Sequence, residues 1–231
     1  MREFVTSGAP FGRRLYFDDG EIERICLDAL VAVGCLPDAP SPVEVELFIE
    51  KHFECDIEYR DIAPGILGFA VFEDDTVTVI GAARSLFEAD TPAERRGRAT
   101  LAHEAGHGLL HAKLFGAASQ PHPLLNGSFD FKRRRIMCRK EDLEAGGEAY
   151  DGKWWEWQAN QAIGGLLLPR PLVEACVEPL TEVIGTLGQR KLPPVNRDQA
   201  VRQLAETFHV NPAVARIRLA TLFSSDSQLA L

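Results

Sequence analysis

The sequence predicts an α+β fold, mostly helical with one small three-stranded sheet, antiparallel or mixed. Three observations predict it. Apolar residues recur at helical spacing over several stretches, and three short stretches between Cys55 and Ala82 have strand character. A long segment opening at Thr91 carries His-Glu-x-x-His, whose two histidines fall at i and i+4 on one helical face. With 231 residues and 45% hydrophobic content, the chain can bury a full core, as one large domain or one domain with an appendage.

In chain order, residues 1–18 show no clear period and read as an irregular surface segment with Arg13 and Arg14 solvated. From Asp19 to Val33 the apolar residues Ile22, Ile25, Ala29, Leu30 and Val33 define a core helix, which Gly34 and Pro37 stop. Ser41-Pro42-Val43-Glu44 combines an N-cap, a proline at the first helical position and a capping-box glutamate, predicting a second helix to about Phe53. Strands follow at Cys55–Ile62, Gly68–Phe72 and Thr76–Ala82, the last two joined by a tight turn at Glu73-Asp74-Asp75. An edge of such a sheet can take an extended peptide by strand addition, or simply be capped.

Thr91-Pro92-Ala93-Glu94 is another capping box, so the motif helix opens there and carries its histidines on the third and fourth turns. Between Ala117 and Lys153 periodicity is lost. This insertion holds a basic run, Lys132-Arg133-Arg134-Arg135, and an acidic one around Glu141, Asp142 and Glu144; a gating cover and a solvated loop both fit it. Arg197 to Phe223 reads as two short helices around His209-Val210-Asn211-Pro212, with Asn211 as N-cap and Pro212 opening the second, in the manner of a helix-turn-helix. The expected organisation is an N-terminal segment 1–18, a main domain 19–180 with its insertion at about 117–153, and a C-terminal helical segment 195–231.

Composition narrows the function classes. No apolar run approaches the ~20 residues of a membrane span, and Met1 to Gly8 lacks the apolar core of a secretion signal, so a cytoplasmic protein is expected. Cys26, Cys35, Cys55, Cys138 and Cys176 are odd in number, scattered and without a Cys-x-x-Cys pair, which points to buried thiols rather than disulfides or a thiolate zinc site. A formal net charge of −9 argues against broad nucleic-acid affinity. Arg197, Arg202, Arg216 and Arg218 outnumber Asp198 and Glu206 locally, but the surplus is small. It favours C-terminal helices that serve the body or a protein substrate over a DNA contact, which would fall to Arg216 and Arg218.

The chemistry is concentrated in Leu101 to His111. On one helical face His103 and His107 can aim two imidazoles at one metal ion while Glu104 reaches toward a metal-bound water. Gly106 and Gly108 each cost ~1 kcal/mol against alanine in a helix, so something packs very close there. Two histidines leave a zinc site incomplete, and His111 and Glu156 are the candidates for a third ligand. A straight helix cannot wrap His103, His107 and His111 around one ion, which makes His111 a packed or supporting residue. Glu156 lies on a second helix whose apolar face includes Ala159, Ile163, Leu166 and Leu167, where a carboxylate would face the cleft.

With these residues the chain resembles the ImmA/IrrE family of metallo-endopeptidases. The resemblance rests on His-Glu-x-x-His at His103 to His107, on Glu156-Trp157-Gln158-Ala159-Asn160 with Leu166-Leu167-Leu168-Pro169, and on Leu204 to Pro212, which is similar to that family's Leu-Ala-x-x-Phe-x-Val-Ser-Pro. It spans roughly Glu21 to Leu222. The resemblance implies a zincin-like peptidase domain in which His103, His107 and Glu156 bind zinc, or manganese, and Glu104 is the general base. Asn160 would orient a ligand imidazole or pack as a helix asparagine, and Tyr150, His111 and His122 are candidates for stabilising the oxyanion. It further implies regulatory cleavage of a cytoplasmic partner such as a helix-turn-helix repressor, in stress-response circuits or mobile elements. The alternative is a non-proteolytic regulator that keeps the metal and acts by binding a protein or DNA; the intact Glu104 speaks for the enzyme. Two departures bear on cleft shape: Gly164-Gly165, which would thin a cleft wall, and a longer gap between His107 and Glu156 than the family's.

Overall fold

The computed structural model describes residues 1–5, 12–88, 91–116, 129–130, 134–141, 153–184 and 188–223. The chain is α+β. Its first segment is not irregular: β1 (Arg2–Val5) and β2 (Arg13–Tyr16) pair antiparallel. The reason is Leu15 and Phe17, which are buried in the core and draw the segment onto the body. Arg13 is exposed beside Glu3, but Arg14 is half-buried, its guanidinium carbon 6.0 Å from the centre of the Trp154 ring.

Helix α1 (Asp19–Ala32) opens with a reciprocal cap: Asp18 Oδ1 accepts from the Glu21 amide at 2.9 Å, and the Glu21 carboxylate accepts from the Asp18 amide at 3.1 Å. Gly34, at φ +66°, turns the chain away after its end. Helix α2 (Val45–Phe53) starts later than the sequence suggests, at Val45, with no side-chain cap at Glu44. Ser41 Oγ instead donates back to the Ala39 carbonyl, and the Val43 carbonyl accepts from Arg98 Nη2 at 2.8 Å. Burying both Val43 and Val45 outweighs the capping box.

The sheet has five strands rather than three and is mixed. β3 (Asp56–Arg60) runs parallel to β5 (Thr76–Ala83), which forms an antiparallel hairpin with β4 (Ile66–Glu73) through Asp74, at φ 49°. Beyond β4 lie β6 (Phe129–Asp130) and β7 (Arg135–Arg139), giving the order β3-β5-β4-β7-β6. These two strands come from the expected insertion. In β7 only Ile136 and Cys138 point into the core, between Arg135, Met137 and Arg139, so its short alternation is concealed behind the basic run. The rest of the acidic run, and with it the gating expectation, lies outside the described residues.

Helix α3 (Thr91–Gly116) carries the His-Glu-x-x-His segment and lies between the sheet and α4 (Trp154–Leu167), while α1 packs on α4 and touches α3 as well. Sandwiching buries every residue from Gly97 to Gly108, polar ones included. Helix α5 (Arg170–Val177), a small hairpin of β8 (Glu182–Ile184) and β9 (Gln189–Lys191), and the helices α6 (Arg197–Thr207) and α7 (Pro212–Leu222) follow. α7 begins as expected, with Asn211 at the N-cap and Pro212 in its first turn. Leu204, Phe208, Val210 and Leu219 belong to the same hydrophobic cluster as Leu15, Ile22 and Leu101, so one core runs from the N-terminal hairpin to α7. All five cysteines are free, four buried and Cys55 half-buried. Among the described residues no helix is long and apolar enough to cross a membrane.

Candidate metal centre

Helix α3 presents His103 and His107 one turn apart, with 3.1 Å between their Nε2 atoms. Glu156, in the first turn of α4, brings its Oε2 to 3.1 Å from His103 Nε2 and 3.3 Å from His107 Nε2. The three side chains are buried. Ligand atoms bonded to one ion at about 2.0–2.1 Å in a tetrahedron stand about 3.3–3.4 Å apart. The observed triangle is one face of such a tetrahedron, slightly contracted, and the donor set of two imidazoles and one carboxylate fits a catalytic rather than a closed structural site.

Hydrogen bonds around the triangle set what its atoms offer. His103 Nδ1 lies 3.0 Å from Asn160 Oδ1, an oxygen that can only accept, so Nδ1 carries the proton. In the neutral ring Nε2 then points a lone pair at the Glu156 carboxylate. Two acceptors at 3.1 Å need a positive charge between them, a proton or a metal cation. The other Glu156 oxygen accepts from Trp155 Nε1 at 3.0 Å, which holds the carboxylate in orientation. Burial alone would raise the Glu156 carboxyl; His107 and His103 reverse this and hold it well below the ordinary carboxylate range.

Glu104 is fully buried on α3. It sits toward β4, where a Cβ placed on Gly68 would come within 3.2 Å of Glu104 Oε1 and 2.5 Å of Thr100 Cγ2. Only a glycine lets the strand pass this close to the carboxylate. Gly106 answers the expectation of a close neighbour: a Cβ there would stand 2.8 Å from Ala162 Cβ and 3.1 Å from the Ala159 carbonyl, so α3 and α4 touch at their backbones. Gly108 faces Phe53 and Val77 in the same way. Gly164 and Gly165, by contrast, do not thin a cleft wall. They receive the Arg218 side chain of α7 and Cys26 of α1, against which any Cβ at Gly165 would collide at 2.9 Å.

His111 is not gathered into the triangle. Its Nδ1 lies 3.1 Å from His107 Nδ1 and its Nε2 2.8 Å from Gln158 Oε1, so both nitrogens are engaged and neither is available to an oxyanion. Burial, and then the neighbouring His107, push its pKa down to about 3. Tyr150 and His122 lie outside the described residues. The sequence reading missed Trp155, Gln158 and the Leu15 carbonyl, to which Gln158 Nε2 donates at 3.1 Å. The available signal was a glutamine between Glu156 and Asn160, two residues from the ligand candidate on the same helix. Arg218 was misplaced: it is buried, donating to the Leu168 carbonyl and to Glu23, and cannot project toward DNA.

No protein-family model matches the chain, and no curated protein matches its sequence. What defines the molecule is an α+β fold holding a buried His-His-Glu group, with a second buried glutamate, Glu104, on the helix that carries the two histidines.

Proposed function

We propose that the protein is a zinc-dependent metallo-endopeptidase of regulatory type. The observation that carries this reading is the triangle of His103 Nε2, His107 Nε2 and Glu156 Oε2, with edges of 3.1–3.3 Å, its histidines on a helix that also buries Glu104, the residue after His103. These three residues would hold the ion, zinc first and manganese second, since nitrogen and oxygen donors serve both. When bound, the ion supplies a Lewis acid that polarises the scissile carbonyl and acidifies water. Glu104 takes the proton from the attacking water on its carboxylate and passes it to the leaving amine. Asn160 keeps the His103 ring in the tautomer that offers Nε2, and Trp155 keeps one Glu156 oxygen turned away from the histidines. Burial of His103, Glu104, His107, Trp155 and Glu156 excludes competing hydrogen bonds from bulk water.

Regulatory rather than digestive cleavage, and a helix-turn-helix repressor as the cytoplasmic partner, follow from the resemblance to the ImmA/IrrE family. Five free cysteines accord with a reducing compartment. The test is incubation of the zinc-loaded protein with repressors encoded beside its gene, with and without chelator. One or a few discrete fragments, lost on chelation, are expected. Fragments that persist in chelator, or intact repressors throughout, would overturn the reading.

A further inference from the structure

We propose that His111 is a positioning residue that, through Gln158 and the Leu15 carbonyl, fixes His107 in the tautomer whose Nε2 is bare. The role presupposes the metal centre, whereas the hydrogen-bond chain behind it does not. Leu15 O can only accept, so the Gln158 atom 3.1 Å from it is the amide nitrogen. The Gln158 oxygen therefore faces His111 Nε2 at 2.8 Å and requires a proton there. His111 is completely buried, and a neutral imidazole with Nε2–H has an acceptor at Nδ1. That atom lies 3.1 Å from His107 Nδ1, which must donate. The proton of His107 is thereby placed on Nδ1, and its Nε2 lone pair is directed to the point that His103 and Glu156 also address.

The two histidines on α3 are thus held by unlike supports. His103 leans on an amide of α4, Asn160, while His107 leans on a third imidazole of its own helix, itself locked by α4 and by β2. The Leu15 carbonyl is the fixed end of the chain. It belongs to the N-terminal hairpin, so that hairpin helps set the protonation pattern of the centre as well as covering the core.

The test uses the full chain with ¹⁵N-labelled histidine, metal-free and zinc-loaded. Nitrogen spectra should show His107 protonated at Nδ1 and His111 at Nε2 before any metal is added, with a scalar coupling between the two Nδ1 nuclei across the N–H···N bond. His111→Asn places an amide oxygen near the Nδ1 position and should keep the His107 tautomer, with zinc affinity within a few-fold of the parent. His111→Leu should give mixed His107 tautomers and about 10–100-fold weaker zinc binding in competition with a chromogenic chelator. If His111→Leu does not fold, Gln158→Met releases the outer anchor and should mix the tautomers likewise. A parent with His107 protonated at Nε2, or a folded His111→Leu with unchanged tautomer and affinity, overturns the proposal. Because the tautomers are read without metal or cleavage, a parent that shows the expected pattern yet takes up no zinc refutes the metal centre, not the hydrogen-bond chain.

Discussion

Buried Arg218 of α7 and half-buried Glu23 of α1, 195 positions apart, form an ion pair with 2.6 Å between Nη2 and Oε1. Arg218 Nε also donates to the Leu168 carbonyl just past the end of α4, and the same Glu23 oxygen accepts from the Arg170 amide. Four elements therefore meet at one charge pair. Arg218→Ala leaves the half-buried Glu23 carboxylate and the Leu168 carbonyl without this donor, so it should destabilise the fold by about 1–3 kcal/mol. The melting temperature falls roughly 2–4 °C per kcal/mol in a chain of this size. Denaturant midpoints check this, and a loss below about 1 kcal/mol would show that the pair is solvated in solution.

Arg216, exposed on the same helix, is the arginine left there to meet a phosphate. With a net charge of −9 on the whole chain, the two exposed arginines of the helix pair, Arg202 on α6 and Arg216 on α7, should give weak binding that is not specific for sequence and collapses with salt. Gel shifts with operator fragments, comparing the parent with Arg216→Ala, measure it. Specific retention by the parent that disappears in the variant, with peptidase activity intact, would make the protein a DNA-directed regulator.

Metal content should be about one ion per chain, as three ligands around one point imply. His103→Ala and Glu156→Ala each remove an atom of the triangle and should leave only a small fraction of that content after dialysis. Elemental analysis decides; parent-like content in either variant would show that the ion is held elsewhere.

Glu104→Gln keeps the shape of a fully buried side chain and removes its capacity to accept a proton. Metal content and melting should match the parent, and cleavage should drop by roughly 10²–10⁴-fold, the usual worth of a positioned general base. If cells carrying this variant regulate the partner as well as cells carrying the parent, the protein acts by binding.

The centre was more legible in the sequence than the sheet, for a physical reason. His103 and His107 are bound to one face by helical geometry, so their spacing alone brings them together. Strands β6 and β7 have no such local rule: β7 shows the core only Ile136 and Cys138, and its place beside β4 is decided by long-range pairing. Likewise Ser41-Pro42-Val43-Glu44 obeys every local rule for a helix start, yet Arg98, 55 residues on, claims the Val43 carbonyl. The support of His107 by Gln158 and Leu15 was illegible because a backbone carbonyl 143 residues from its donor leaves no mark in the sequence.

Gly106 sets the spacing on which the triangle depends. In Gly106→Ala the new methyl meets Ala162 Cβ at 2.8 Å and the Ala159 carbonyl at 3.1 Å, and since backbone is involved the helices themselves must part. Alanine gains up to ~1 kcal/mol of helix propensity, against an overpacking cost of typically ~1–3 kcal/mol, so the net loss of stability should be small. Zinc affinity should fall further, because separating α4 from α3 carries Glu156 away from both histidines. Gly108→Ala is the control. Its methyl strikes the Phe53 ring at 2.7 Å and Val77 at 2.9 Å, on the α2 and sheet side, where a clash leaves the α3–α4 distance alone. Melting curves and chelator competition on both variants separate the effects. Equal losses of zinc affinity in the two would mean that the centre follows overall stability rather than the approach of α4 at Gly106.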